Sequence, residues 1–234
     1  MVFWICLLLG CQSDELDQGN VPEEENTNDI PNKIMPLGAS RVQGLTPWFE
    51  SYRYALWKDL IDGGWDFDYI GTETETGSYP SYEGLSFDPD HQGKMSWTSE
   101  QIFEKIESIL HETGYPDIVL FSSPGGNDIL DGLPYENIIE NINGIIDLFQ
   151  DRNPDIVILI EQIAPGKTSF MTPELTAIFE QAVLDVETIA QEQTDENSQV
   201  IPVNMFDGFV DRYLSDDIHY CLLYTSDAAD DLGR

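Results

Sequence analysis

Ile156-Val157-Ile158-Leu159-Ile160 is a run of five aliphatic residues with no polar position in it. A strand with one face in water alternates apolar and polar side chains, so a run that never alternates implies a strand buried on both faces. Outward from it, Ile118–Phe121 (IVLF) repeats the pattern, Lys33–Leu37 (KIMPL) is a shorter version, and Phe67–Ile70 and Val200–Val203 complete five. The intervening stretches change to helical spacing. Phe49, Tyr52, Leu56 and Leu60 mark a helix over Trp48–Ile61. Ile102, Ile106, Ile109 and Leu110 mark another over Ser99–Glu112, with Thr98 or Ser99 as its N-cap. Ile138, Ile142, Ile145 and Leu148 share one face of Tyr135–Phe149. Pro173, tolerated in a first turn, opens a long helix to about Gln193. Doubly buried strands with helices between them predict an α/β fold, a five-stranded parallel sheet in a three-layer α/β/α sandwich. Such sheets bind ligands at the carboxyl ends of their strands, which directs the search for chemistry to the loops there.

The charge balance narrows the partners. Forty-four acidic residues face ten basic ones, a formal net charge of -34. A surface of that sign repels nucleic acid and anionic membrane. The acids are scattered along the chain, which reads as solubility rather than as one site. Cys6, Cys11 and Cys221 lie toward the two ends, so the body between holds no disulfide and no cysteine-ligated metal.

Residues 1–11 carry an apolar run, Val2–Gly10, too short to span a bilayer as a helix. It ends Leu8-Leu9-Gly10-Cys11, which resembles a bacterial lipobox. That resemblance makes Cys11 the lipidation site and predicts export, with a lipid anchor in the outer membrane or at the cell surface as the only membrane contact. Residues 12–31 are acidic, carry no base and have no hydrophobic period, so they read as a disordered linker extended by self-repulsion. The folded domain is expected over 32–220.

Three chemical groups follow three strands. Gly38-Ala39-Ser40 presents a serine after the first. Gly125-Gly126-Asn127-Asp128 follows the third, and Asn127 brings an amide donor suited to an oxyanion. Asp216-Asp217-Ile218-His219 follows the fifth, and an acid three residues before a histidine can share one side of a turn. Asp216 would orient the imidazole and leave its other nitrogen to take the serine proton. Each piece alone is ordinary loop composition; three at one sheet edge are not.

These motifs resemble those of the SGNH (GDSL-type) hydrolases. Lys33–Ser40 resembles the block that carries the nucleophile, Gly126-Asn127-Asp128 the block with the oxyanion amide, and Asp216-x-x-His219 the block with acid and base. His91-Gln92-Gly93-Lys94-Met95-Ser96-Trp97 resembles the second block of the carbohydrate-esterase branch. The resemblance implies a flavodoxin-like sandwich and ester cleavage through an acyl-serine, without metal or organic cofactor. It implies Ser40, Asp216 and His219 as catalytic residues, and Ser40, Ser96 and Asn127 around the oxyanion. His91, Gly93 and Trp97 would contact an acylated carbohydrate or another small ester.

The chain departs from the family pattern in three places. Ala39 stands where the first block has Asp, and Ser96 where the second has Gly. After His219 the family continues into a helix, whereas 221–234 has no amphipathic helix of useful length and reads as an artefactual tail on a truncated domain. Two other readings therefore stand beside the esterase: a glycan-binding lipoprotein with weak or no catalysis, and a lipase or lysophospholipase of the same fold. Asp88-Pro89-Asp90 resembles the start of a calcium loop, but Ser99 occupies its twelfth position, so an ordinary turn is expected.

Overall fold

The computed structural model describes residues 32–75 and 77–221. The expected signal segment, Cys11, the acidic linker and all of the tail after Cys221 lie outside the described residues. Seven strands form one sheet: β1 (Lys33–Gly38), β2 (Asp68–Tyr69), β3 (Glu73–Thr74), β4 (Asp90–Gly93), β5 (Ile118–Phe121), β6 (Val157–Gln162) and β7 (Gln199–Asn204). Their order is β3-β4-β1-β5-β6-β7, with β2 also paired to β1. Every pairing is parallel except β3 with β4.

The five predicted strands are present, and two further ones were not expected. The second predicted strand is only two residues long. Its edge of β1 is completed by β4, which pairs Leu37 with Gln92 and Gly38 with Gly93. The sequence Asp90-His91-Gln92-Gly93 has no apolar run, so periodicity passes over it.

Three helices, α3 (Ser99–Thr113), α5 (Tyr135–Arg152) and α6 (Pro173–Gln193), cover one face of the sheet. Their apolar stripes bury Val119, Phe121, Ile158, Ile160 and Val200. On the opposite face, α2 (Arg53–Asp62) packs Trp57 with Ile34 and Tyr69 and partly covers Ile118 and Leu120. Farther along that face Val157 and Leu159 are half-buried and Ile201 is 39% exposed. The expectation of complete burial on both faces thus holds at the β1 end and weakens toward β7.

α2 starts five residues later than its periodicity predicts. Leu45–Phe49 instead forms a tight loop, closed by hydrogen bonds from the Leu45 and Phe49 N–H groups to each other's carbonyls at 3.0 and 3.2 Å. Phe49 is drawn into the site rather than onto the α2 face, while Trp48 is 71% exposed.

Two devices fix the carboxyl edge. The start of α3 carries a capping box between Thr98 and Gln101, worth about 1 kcal/mol. The Asp128 carboxylate, on the short α4 (Gly126–Leu130), then accepts the Ser99 N–H at 2.8 Å and the Ser99 hydroxyl at 2.7 Å. Together these tie the loop after β4 to the loop after β5.

Candidate active site

β1 ends at Gly38, whose φ of +153° is poorly open to other residues. A Cβ there would sit 2.6 Å from the Ser122 carbonyl oxygen, so only glycine lets β1 run this close to the end of β5. The chain turns at once into α1 (Ser40–Gln43), which sets Ser40 at its first position. The far end of α1 is held by Arg53, fully buried, which donates to the Val42 and Gln43 carbonyls at 2.8 and 3.1 Å. Glu75 accepts from the same guanidinium at 2.8 Å and balances its charge.

Asp216 and His219 occupy a turn after β7. The Asp216 Oδ1 accepts the N–H groups of Ile218 and His219 at 2.9 and 2.8 Å. Its Oδ2 lies 2.7 Å from His219 Nδ1, and His219 Nε2 lies 2.9 Å from Ser40 Oγ. An ionised carboxylate only accepts, so Nδ1 carries the hydrogen, and Nε2 is left to accept from the serine hydroxyl. Burial alone would raise the Asp216 carboxyl, but those N–H groups and the imidazole hold it below its ordinary 3.8. A carboxylate, an imidazole and a hydroxyl in this order can turn the hydroxyl into a nucleophile. The Phe49 ring stacks on the imidazole, with centroids 3.9 Å apart and planes 10° from parallel.

Beside Ser40 opens a cavity of about 30 Å³, lined by Ser40 and Asn127 with Leu130, Ile163, Phe179 and Ile218. Asn127 Nδ2 donates one hydrogen to the Trp97 carbonyl at 2.8 Å, which fixes the amide and leaves its second hydrogen available. Ser96, the residue before Trp97, has a φ of +62°, in the left-handed region that favours glycine. The serine therefore holds a backbone shape that a glycine would take without strain. A larger hollow of about 510 Å³, lined by Met171, Thr176, Phe206 and Phe209 among others, contains none of these polar groups.

Ser40, Asp216 and His219 thus meet, and Asn127 shares the cavity with Ser40. Of the other expected substrate contacts, Trp97 adjoins the site through its carbonyl, and His91 and Gly93 are buried in β4. His91 is 1% exposed inside β4, where Nδ1 accepts the Gly93 N–H at 3.0 Å. Gly93 is buried against α1, and a Cβ on it would come within 2.6 Å of the Val42 Cβ. Both help build the sheet under α1. Trp97 is half-buried, with the Lys94 ammonium 5.3 Å from its ring centroid. Asp88 accepts the N–H groups of Tyr69 and Asp90, as in an ordinary turn.

Sequence reasoning missed Phe49, Arg41, Glu161 and Tyr220. Arg41 and Glu161 are buried and 3.5 Å apart. The available signal was Glu161 directly after the aliphatic run Ile156–Ile160: a charge buried in a sheet needs a partner.

No family model matches the chain, and no curated protein matches it. Solved structures do. A carbohydrate esterase family 3 protein from Talaromyces cellulolyticus superposes with a TM-score of 0.71 at 25% identity, over 86% of this chain and 94% of that one. A family 3 carbohydrate esterase from Clostridium thermocellum gives 0.66 at 24% identity, over 85% and 92%. AlinE4, an SGNH-hydrolase family esterase, gives 0.55 at 18% identity, over 86% and 93%. The fold is that of an SGNH hydrolase. In this SGNH fold the Ser40, Asn127 and Asp216/His219 motifs all stand at the carboxyl edge of the parallel sheet.

Proposed function

We propose that the chain is a serine ester hydrolase that removes a short acyl group, acetyl, from carbohydrate. The observation that carries this reading is the unbroken relay from Asp216 through His219 to Ser40, at 2.7 and 2.9 Å.

Ser40 Oγ attacks the ester carbonyl carbon as its proton passes to His219 Nε2. The carbonyl electron pair moves onto oxygen, where the Ser40 N–H, the second hydrogen of Asn127 Nδ2 and the Ser96 N–H are the donors for the oxyanion. Donors set in place beforehand stabilise charge as it develops, each worth about a hundredfold or more in rate. Collapse breaks the bond to the sugar oxygen, which leaves with the proton from His219. Water then attacks the acyl-serine with His219 as base, releasing the acid and restoring Ser40. Asp216 stays ionised throughout and holds the imidazole tautomer.

A cavity of about 30 Å³ with Ile163, Phe179 and Leu130 in its wall suits a methyl group better than a long acyl chain, which favours a deacetylase over a lipase. The likeness to a carbohydrate esterase at 25% identity supports a sugar as the alcohol. Cell-surface attachment through a lipidated Cys11, with residues 12–31 as spacer, belongs to the same proposal.

Hydrolysis of p-nitrophenyl acetate by the wild type and by Ser40→Ala tests the chemistry. The wild type is expected to turn over and the variant to fall to the buffer rate; equal rates for the two would refute the proposal. Acetate release from acetylated xylan, set against cleavage of a long-chain ester, then tests the substrate class.

A further inference from the structure

Arg41 follows the nucleophile in sequence, yet its side chain reaches the loop that carries the base. Nε donates to the Ile218 carbonyl at 2.9 Å, and Nη1 donates to the Tyr220 hydroxyl at 2.9 Å. Ile218 and Tyr220 are the two neighbours of His219. Nη1 and Nη2 also reach the Ala164 carbonyl, both at 3.2 Å, and Nη1 reaches Ser123 Oγ at 3.3 Å. The Tyr220 hydroxyl passes its own hydrogen to Glu161 Oε1 at 2.7 Å, and the guanidinium carbon lies 4.4 Å from the Tyr220 ring centroid. Glu161 Oε2 takes the Ser122 hydroxyl and the Ser123 N–H, so the counter-ion is itself fixed to the loop after β5.

We propose that Arg41 is a positioning residue that sets the distance between nucleophile and base by gripping the chain on both sides of His219. The proposal rests on the reading of Ser40 and His219 given above. Ser40 and Arg41 belong to one helical turn, so an anchor on Arg41 is an anchor on Ser40. Asp216 orients the imidazole from within its own turn, but it has no bond to α1 and cannot set the separation. Ala39, where the resemblance leads one to expect an aspartate, offers no side-chain acceptor to the surrounding loops. The guanidinium supplies the missing bridge from the nucleophile's own helix. The job needs a fork: Nε and Nη1 point at different atoms, and an ammonium has its donors on a single nitrogen.

The test uses Arg41→Lys, Arg41→Met and Tyr220→Phe, with kcat and KM for p-nitrophenyl acetate, the thermal midpoint, and the NMR resonance of the His219 Nδ1 proton. Arg41→Lys keeps the charge facing Glu161 but not the fork. It is expected to lose on the order of a hundredfold in kcat, the effect of a displacement near 1 Å, with KM within about threefold. Tyr220→Phe removes one anchor and no charge; its kcat is expected to fall about tenfold with the thermal midpoint nearly kept. Wild-type kcat in Arg41→Lys, or thermal midpoints that fall while kcat holds in all folded variants, would overturn the proposal. If the Arg41 variants do not fold, Tyr220→Phe decides. If the wild type shows no Ser40-dependent hydrolysis, the esterase reading fails and the resonance judges the clamp separately. Loss or broadening of that line in Tyr220→Phe supports the clamp, and an unchanged line overturns it.

Discussion

Phe49→Leu is expected to slow turnover without weakening substrate binding. The Phe49 ring lies nearly parallel to His219 at 3.9 Å and is almost wholly buried. Its π-face is negative, and the imidazole beneath it becomes positive only as it takes the Ser40 proton. A cation over an aromatic face is worth about 0.5 kcal/mol when exposed and about 2 kcal/mol when desolvated. At about 1.4 kcal/mol per factor of ten, that is roughly a twofold to thirtyfold loss in kcat, and the buried contact places the effect toward the upper end. The contact strengthens only in the transition state, so KM should stay near the wild-type value. Leucine keeps most of the apolar volume, so the Leu45–Phe49 loop should persist at a cost under about 1.5 kcal/mol. The assay is steady-state hydrolysis of p-nitrophenyl acetate beside a thermal melt. An unchanged kcat with a lowered melting temperature would show that Phe49 only packs and would refute the reasoning.

Two further outcomes concern charge. Asp216→Asn should cost about ten-thousandfold in kcat, since an amide facing Nδ1 favours the wrong tautomer. The Asp216 carboxyl is held below 3.8, so its stabilising contribution is complete above that pH and disappears as the pH falls through the lower folded-state value. The difference in melting temperature between wild type and Asp216→Asn should therefore not shrink between neutral pH and about 4, and should shrink below it; a difference that shrinks near pH 6 would contradict this. His91 acts with the same sign, over a higher pH window. Burial, aided by the nearby Arg53 charge, lowers it from 6.5 to about 3. Between those values the unfolded chain binds a proton that the folded one refuses, so His91 makes the fold less stable as the pH falls. His91→Gln should give a flatter melting curve against pH over that window, and parallel curves for the two proteins would be inconsistent with a neutral buried imidazole.

The parts of the fold legible in the sequence are those where one physical rule acts alone. Runs such as Ile156–Ile160 have no alternation to confuse, and the Ile102/Ile106/Ile109 stripe keeps its helical period from end to end. β4 was hidden because Asp90-His91-Gln92-Gly93 is polar. Its burial comes from β1, distant in sequence, on one side and from the two-residue β3 on the other. The late start of α2 has the same origin: Phe49 fits the helical stripe, but its ring packs on His219 instead. At the site, Ser40, Asn127, Asp216 and His219 were legible because each sits in a short motif after a strand. Arg41, Glu161 and Tyr220 were not, because their roles exist only once α1, β6 and the last loop are brought together. His91 and Gly93 show the converse, since the stretch read as a functional loop also contains residues that build the strand beneath it.

The most direct test of the central assignment is covalent. Incubation of the intact chain with a fluorophosphonate, followed by peptide mass spectrometry, reads out which hydroxyl is activated. The expected result is one stoichiometric adduct on the peptide containing Ser40, absent in Ser40→Ala and formed far more slowly in His219→Ala. No adduct, or an adduct on another serine with Ser40 unmodified, would contradict the account.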